Sequence, residues 1–186
     1  MTIKIRFGKD LTLDIRKCPH LLIIGKGGRR SEFATQIKRQ IVADCCGTDC
    51  NLVGFNESKE RQLSKRYKQL CDLNADNIEQ FNKHVGKNKM KFCIMVAGTS
   101  TKEQMNNALK QILVKGRAVG MHIIMFANNI SRLDADLLDL FLVKLVYRVK
   151  NADESILLTG YSGAENLKDS EFMLAELGKR PVIYKI

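Results

Sequence analysis

The residues with the greatest capacity for chemistry lie together in Gly25-Lys26-Gly27-Gly28-Arg29-Arg30-Ser31-Glu32. A glycine-rich, basic turn between an apolar run and a helix is the setting in which a chain wraps a phosphate. There G-x-x-x-x-G-K-[ST] lets backbone N–H groups surround the phosphates, the lysine reach the β and γ oxygens and the hydroxyl hold Mg²⁺. Here Gly25 and Gly28 stand at the first and middle glycine positions. Arg30 occupies the place of the last glycine, Ser31 that of the lysine and Glu32 that of the hydroxyl. The setting is kept and the chemistry is not.

Each replacement has a physical consequence. Arg30 brings a Cβ and a long side chain where backbone should close on phosphate. Ser31 removes the point charge that bridges the terminal phosphates. Glu32 sets a carboxylate in the first helical turn, where it takes up the positive end of the helix dipole. The other half of an ATPase site is an acidic pair at the end of a neighbouring strand, which orders Mg²⁺ and the attacking water. The apolar run at 92–96 ends in Ala97-Gly98, and neither residue can ligate a metal. These residues lead us to expect no catalytic residue, no metal ligand and no cofactor, with the ATP-hydrolysis site lost and its hold on ATP and Mg²⁺ degraded. Lys26, Arg29 and Arg30 retain an attraction for polyphosphate. An alternative is an ATPase with a non-standard site in which one of those three replaces the missing lysine.

The elements that must position this loop can be read from periodicity. Short alternating segments at 3–7 and 11–15 flank Gly8-Lys9-Asp10 and predict a small hairpin. The continuous apolar run at 20–24 suits a strand buried on both faces. A helix follows from Ser31, with Phe33, Ile37 and Ile41 on one side. Further strands are expected at 51–55, 92–96, 122–126, 143–149 and 181–184, and helices at 59–73, 77–84, 103–119, 133–141 and 153–159. Strand and helix alternate between 20 and 150, which predicts an α/β fold with a mostly parallel central sheet flanked by helices. Ligands of such folds sit at the carboxyl ends of the strands, here Gly25, Ala97-Gly98 and Asn128-Asn129.

Composition limits the partners. With 186 residues, 45% of them hydrophobic and 27% charged, the chain is expected to form one globular domain over 1–186, its hairpin at 1–17 leading into the core. Thirty-one Lys and Arg against twenty Asp and Glu give a net charge of +11, which attracts polyanions. No apolar run reaches the length of a membrane span and no signal peptide is evident, so a cytoplasmic protein is expected. The six cysteines lack the paired spacing of a zinc site and read as reduced thiols. The basic run Lys59 to Lys68 is either a DNA-facing stripe or the solvated side of an amphipathic helix. His122, inside an apolar strand, reads as a core histidine.

Several segments, in order, resemble the FtsK/SpoIIIE family of DNA translocases. Pro19-His20-Leu21-Leu22-Ile23-Ile24-Gly25 is similar to the family's PHLLVAG entry into its phosphate loop. Arg66-Tyr67-Lys68 followed by Asn77-Ile78-Glu79-Gln80-Phe81-Asn82 resembles the stretch before its acidic strand. Gly116 to Ile124 is close to its RAaGIHLI segment. Arg148-Val149, Asp153-Glu154-Ser155, Leu157 and Gly163-Ala164-Glu165 follow its next conserved block, and Phe172-Met173-Leu174 stands at its GDMLY close.

The resemblance implies a RecA-like P-loop NTPase fold that assembles into a homo- or hetero-oligomeric ring and moves double-stranded DNA with ATP. It also aligns the family's γ-phosphate-sensing glutamine with Asn128 and the arginine after it with Asn129. Arg117 and Arg148 match positions that face a neighbouring subunit's nucleotide, and either could serve a competent neighbour as an arginine finger. The plainer reading of both is a structural ion pair or a solvated side chain.

Overall fold

Alternation at the amino terminus does form a hairpin. In the computed structural model, β1 (Lys4–Phe7) and β2 (Leu11–Asp14) pair antiparallel with Lys4 opposite Asp14 and Phe7 opposite Leu11. Ile5, Phe7, Leu11 and Leu13 point inward, so the two-residue period of each strand presents one apolar face to the rest of the molecule. The structure describes residues 4–7, 11–15, 17, 18, 20–27, 32, 35–37, 39, 40, 43, 50–54, 92–98, 109, 110, 112–119 and 121–185, with 50–54 and 92–98 described as backbone. The helices expected at 59–73 and 77–84, and the basic run within the first, lie outside the described residues.

The remaining strands build one seven-stranded sheet. They are β3 (His20–Ile24), β4 (Cys50–Gly54), β5 (Phe92–Gly98), β6 (Met121–Ala127), β7 (Val143–Val146), β8 (Glu171–Glu176) and β9 (Val182–Lys185). Their spatial order is β4-β5-β6-β3-β7-β8-β9. The run from β4 to β7 is parallel, and β8 and β9 add antiparallel. All five residues of β3 are buried, as an uncharged run at the centre of a parallel sheet must be.

Apolar side chains cover both faces. On one face Leu22, Ile24, Ile123 and Met125 pack against Leu109, Leu113, Leu137 and Phe141. On the other, Leu21, Ile23 and Leu145 meet the hairpin and Ile37, and Phe7 packs on Phe172 with ring centroids 6.4 Å apart. The buried Cys18 thiol is pushed up to about 12 by burial and then by Glu176, so it stays protonated. No helix among the described residues is long and apolar enough to cross a membrane.

Three expectations need correction. The strand ending in Ala97-Gly98 was expected beside the phosphate-loop strand, but β6 lies between β3 and β5. Sequence order does not determine spatial order where strands are joined by crossovers. The helix expected at 133–141 is reduced to α1 (Ala135–Asp139), preceded by a 3₁₀ turn at Ile130–Arg132. The strand expected at 143–149 stops at Val146, because the next backbone groups turn to meet the loop after β3.

Candidate nucleotide-loop site

The glycine-rich loop leaves the carboxyl end of β3 between β6 and β7. Its first residues are sewn into both neighbours. Gly25 N–H donates to the Ala127 carbonyl at 3.2 Å and Lys26 N–H to the Arg148 carbonyl at 2.8 Å, while Tyr147 N–H donates to the Ile24 carbonyl at 2.8 Å. Gly25 adopts φ +114°, and a Cβ there would meet the Tyr147 carbonyl oxygen at 2.7 Å. Glycine is required because the loop crosses directly over the backbone of Tyr147 and Arg148, just past the end of β7. The ring of Tyr147 lies 3.3 Å from where a Gly27 Cβ would be. Gly28, Arg29, Arg30 and Ser31 lie outside the described residues, and Glu32 is helical and exposed.

Beyond the loop a cavity of about 240 Å³ opens among Lys26, Asn128, Asn129, Ser131, Arg148 and Glu154. It therefore brings together Gly25, Lys26, Asn128 and Arg148 from the candidate set. Its polar groups are largely turned on one another. Ser131 Oγ donates to Asn129 Oδ1 at 2.6 Å, Lys150 N–H donates to Glu154 Oε2 at 2.9 Å, and Arg148 Nη2 pairs with Asp169 Oδ1 at 3.2 Å. The cavity is smaller than the ~300–1,000 Å³ usual for sites that bury a ligand of nucleotide size. Among the described residues no group of three His, Cys, Asp or Glu could hold a metal ion. At the end of β5, Ala97 and Gly98 lie opposite Met125 and Phe126 of β6. By sequence, the lysine position of this edge holds Ser31, and no carboxylate ends β5.

The other arginine of the candidate pair is elsewhere. Arg117 lies in a 3₁₀ turn at Gly116–Val119, exposed, beside a second cavity of about 180 Å³ shared with His20 and Leu113. His20 begins β3 and Lys26 follows its end, so Arg117 and Arg148 lie at opposite ends of the sheet. One neighbouring nucleotide docked at a single edge could not receive both.

His122 is buried, in keeping with a core residue, and His20, which sequence reasoning passed over, is buried beside it with rings 6.3 Å apart. Ile123 N–H donates to His20 Nδ1 at 3.2 Å, which fixes the ring proton on Nε2. Burial, then His122 and Arg117, lowers the His20 imidazole to about 3.

Two of the resemblance segments also meet. In α2 (Ala152–Thr159), the buried Ser155 donates its hydroxyl to the Tyr161 carbonyl at 2.7 Å and accepts from Ala164 N–H at 3.0 Å. Gly163 N–H donates to Glu165 Oε2 at 2.8 Å, and the backbone N–H groups of Glu165 and Gly163 hold that carboxylate below its ordinary range. These residues secure a turn; they do not line the loop cavity. Asp-Glu-Ser and Gly-Ala-Glu share no periodic signal, and only their common place in the resemblance linked them.

No protein-family model and no curated protein matches the chain. Solved structures do. The cytoplasmic domain of the type VII secretion ATPase EccC of Thermomonospora curvata superposes with a TM-score of 0.71 at 18% identity, over 94% of this chain and 27% of that one. The pCW3 conjugation coupling protein TcpA, solved with ATPγS, gives 0.67 at 17% identity over 100% and 64%. The genome-packaging NTPase B204 of Sulfolobus turreted icosahedral virus 2, also with ATPγS, gives 0.54 at 12% identity over 89% and 96%. The chain thus spans about a quarter of the EccC domain and under two thirds of TcpA. The chain shares the RecA-like α/β fold of these structures, with the amino-terminal hairpin in place.

Proposed function

We propose that this chain is an FtsK/SpoIIIE-like domain of a DNA-translocation, conjugation or secretion machine that does not hydrolyse ATP, and that it acts through subunit assembly and contact with double-stranded DNA. The observation carrying this reading is the carboxyl edge of the sheet. The fold assembles a nucleotide site there, yet the loop has Ser31 for lysine and Glu32 for hydroxyl, and β5 ends in Ala97-Gly98. The first loop N–H groups, of Gly25 and Lys26, are spent on Ala127 and Arg148 rather than left for phosphate. A net charge of +11 supports a polyanionic partner.

A triple variant, Arg30→Gly, Ser31→Lys and Glu32→Ser, tests the assignment. Saturable binding of Mg²⁺ATPγS in the variant and none in the parent supports it. Equal binding by both chains refutes it. One observation favours an active, non-standard site instead: Lys26 and Arg148 share the loop cavity with Asn128. That reading requires ATP turnover by the parent chain, lost in Lys26→Ala.

A further inference from the structure

Apolar side chains are exposed in one place far more than chance scattering provides. Of the eight large hydrophobic residues exposed among the described ones, Leu142, Ile156, Leu157, Tyr161 and Leu177 line a single groove of about 570 Å³. Each is about half exposed, and Leu177 is 76% exposed. The groove runs between the carboxyl-terminal turn of α2 and the turn following β8, at the sheet end remote from the glycine-rich loop. Leu142 also lines the cavity beside Arg117, so the apolar surface continues to Val114. Contiguous exposed apolar surface of this kind marks a place where something docks.

The rim says what kind of partner fits. Lys144, Lys179 and Arg180 line the groove together with Asp139 and Glu176. Lys179 is closed on Glu176 at 2.6 Å. Asp139 is the carboxylate acting on the half-buried Lys144, while Arg180 has no ion-pair partner among the described residues, nor does Arg117 at the adjoining cavity. The surplus charge is positive. A second copy docking the same face would bring two rims of surplus positive charge together, on chains of +11 each, which opposes it. An added β-strand is excluded at the groove, because β8 is hydrogen-bonded on both sides, to β7 and to β9. Recognition must come from side chains, as when an amphipathic helix lies in a groove.

We infer that this groove receives an amphipathic helix of another protein, with apolar residues on its buried face and carboxylates flanking them to meet Lys144, Arg180 and Arg117. The inference is independent of whether ATP binds at the opposite edge. It is tested with two labelled helical peptides of about 18 residues, each with leucines at i, i+3 and i+7, one flanked by glutamates and the other by lysines. Anisotropy titrations are made on the parent chain, on Leu157→Asp and on Arg180→Glu, both at exposed positions that leave the core intact, with circular dichroism confirming the fold. The expected result is saturable binding of the acidic peptide, weakened about tenfold or more in either variant and about tenfold weaker for the basic peptide. Equal binding of the two peptides, binding unchanged in Leu157→Asp, or no binding overturns the proposal. Sedimentation showing a dimer that Leu157→Asp dissolves also overturns it, because the occupant is then a second copy.

Discussion

At Gly25 the backbone holds φ +114° against the carbonyl of Tyr147, and no side chain fits in either respect. Gly25→Ala therefore combines left-handed strain with a collision and should cost about 2–4 kcal/mol in urea unfolding. Gly160 is the control. It caps α2 at φ +78° with nothing within 4 Å of its missing Cβ, so Gly160→Ala should cost only about 1 kcal/mol. His20 makes a prediction about pH. Burial, His122 and Arg117 hold its folded value near 3 against an ordinary 6.5, so between those limits the unfolded chain binds a proton that the folded chain refuses. The stability owed to the neutral ring is complete above about pH 6.5 and lost as pH falls toward 3, on the order of 3 kcal/mol by pH 4.5. His20→Asn keeps an acceptor for Ile123 N–H and cannot titrate, so chemical unfolding of that variant should lose much of this slope.

Among the elements, α2 depends on one hydroxyl. Ser155→Ala leaves Ala164 N–H without its buried acceptor, while the Tyr161 carbonyl keeps Thr159 Oγ1 at 2.8 Å, and should lower stability by about 1–2 kcal/mol, read as a shifted urea midpoint at unchanged slope. Most strands were legible in the residues, for physical reasons that differ. β3 and β6 are continuous apolar runs, and β1 and β2 alternate cleanly. The strand β8, reading EFMLAE, escaped notice as a strand, since four consecutive buried residues fit a helix as readily as a strand. The place of β5 was not legible, because crossover connections leave strand order open. At the site, the loop and its replaced residues were visible in the chain. The ladder of Gly25, Lys26, Tyr147 and Arg148 was not, because it joins segments more than a hundred residues apart.

For the whole molecule, the two ends of the sheet have separate chemistry. One carries the glycine-rich loop and Arg148 paired with Asp169, and the other carries Arg117, the paired histidines and the apolar groove. The charge of +11 should make duplex DNA binding strongly salt dependent, the logarithm of affinity falling linearly with that of salt by about 0.9 per phosphate neutralised. A flat dependence would remove DNA from the proposal. The central claim, that a nucleotide-binding fold has lost its nucleotide, is met most directly by calorimetric titration of Mg²⁺ATP into the unmodified chain. The residues at 30–32 and the end of β5 predict no saturable heat; saturation at micromolar ligand would contradict the account.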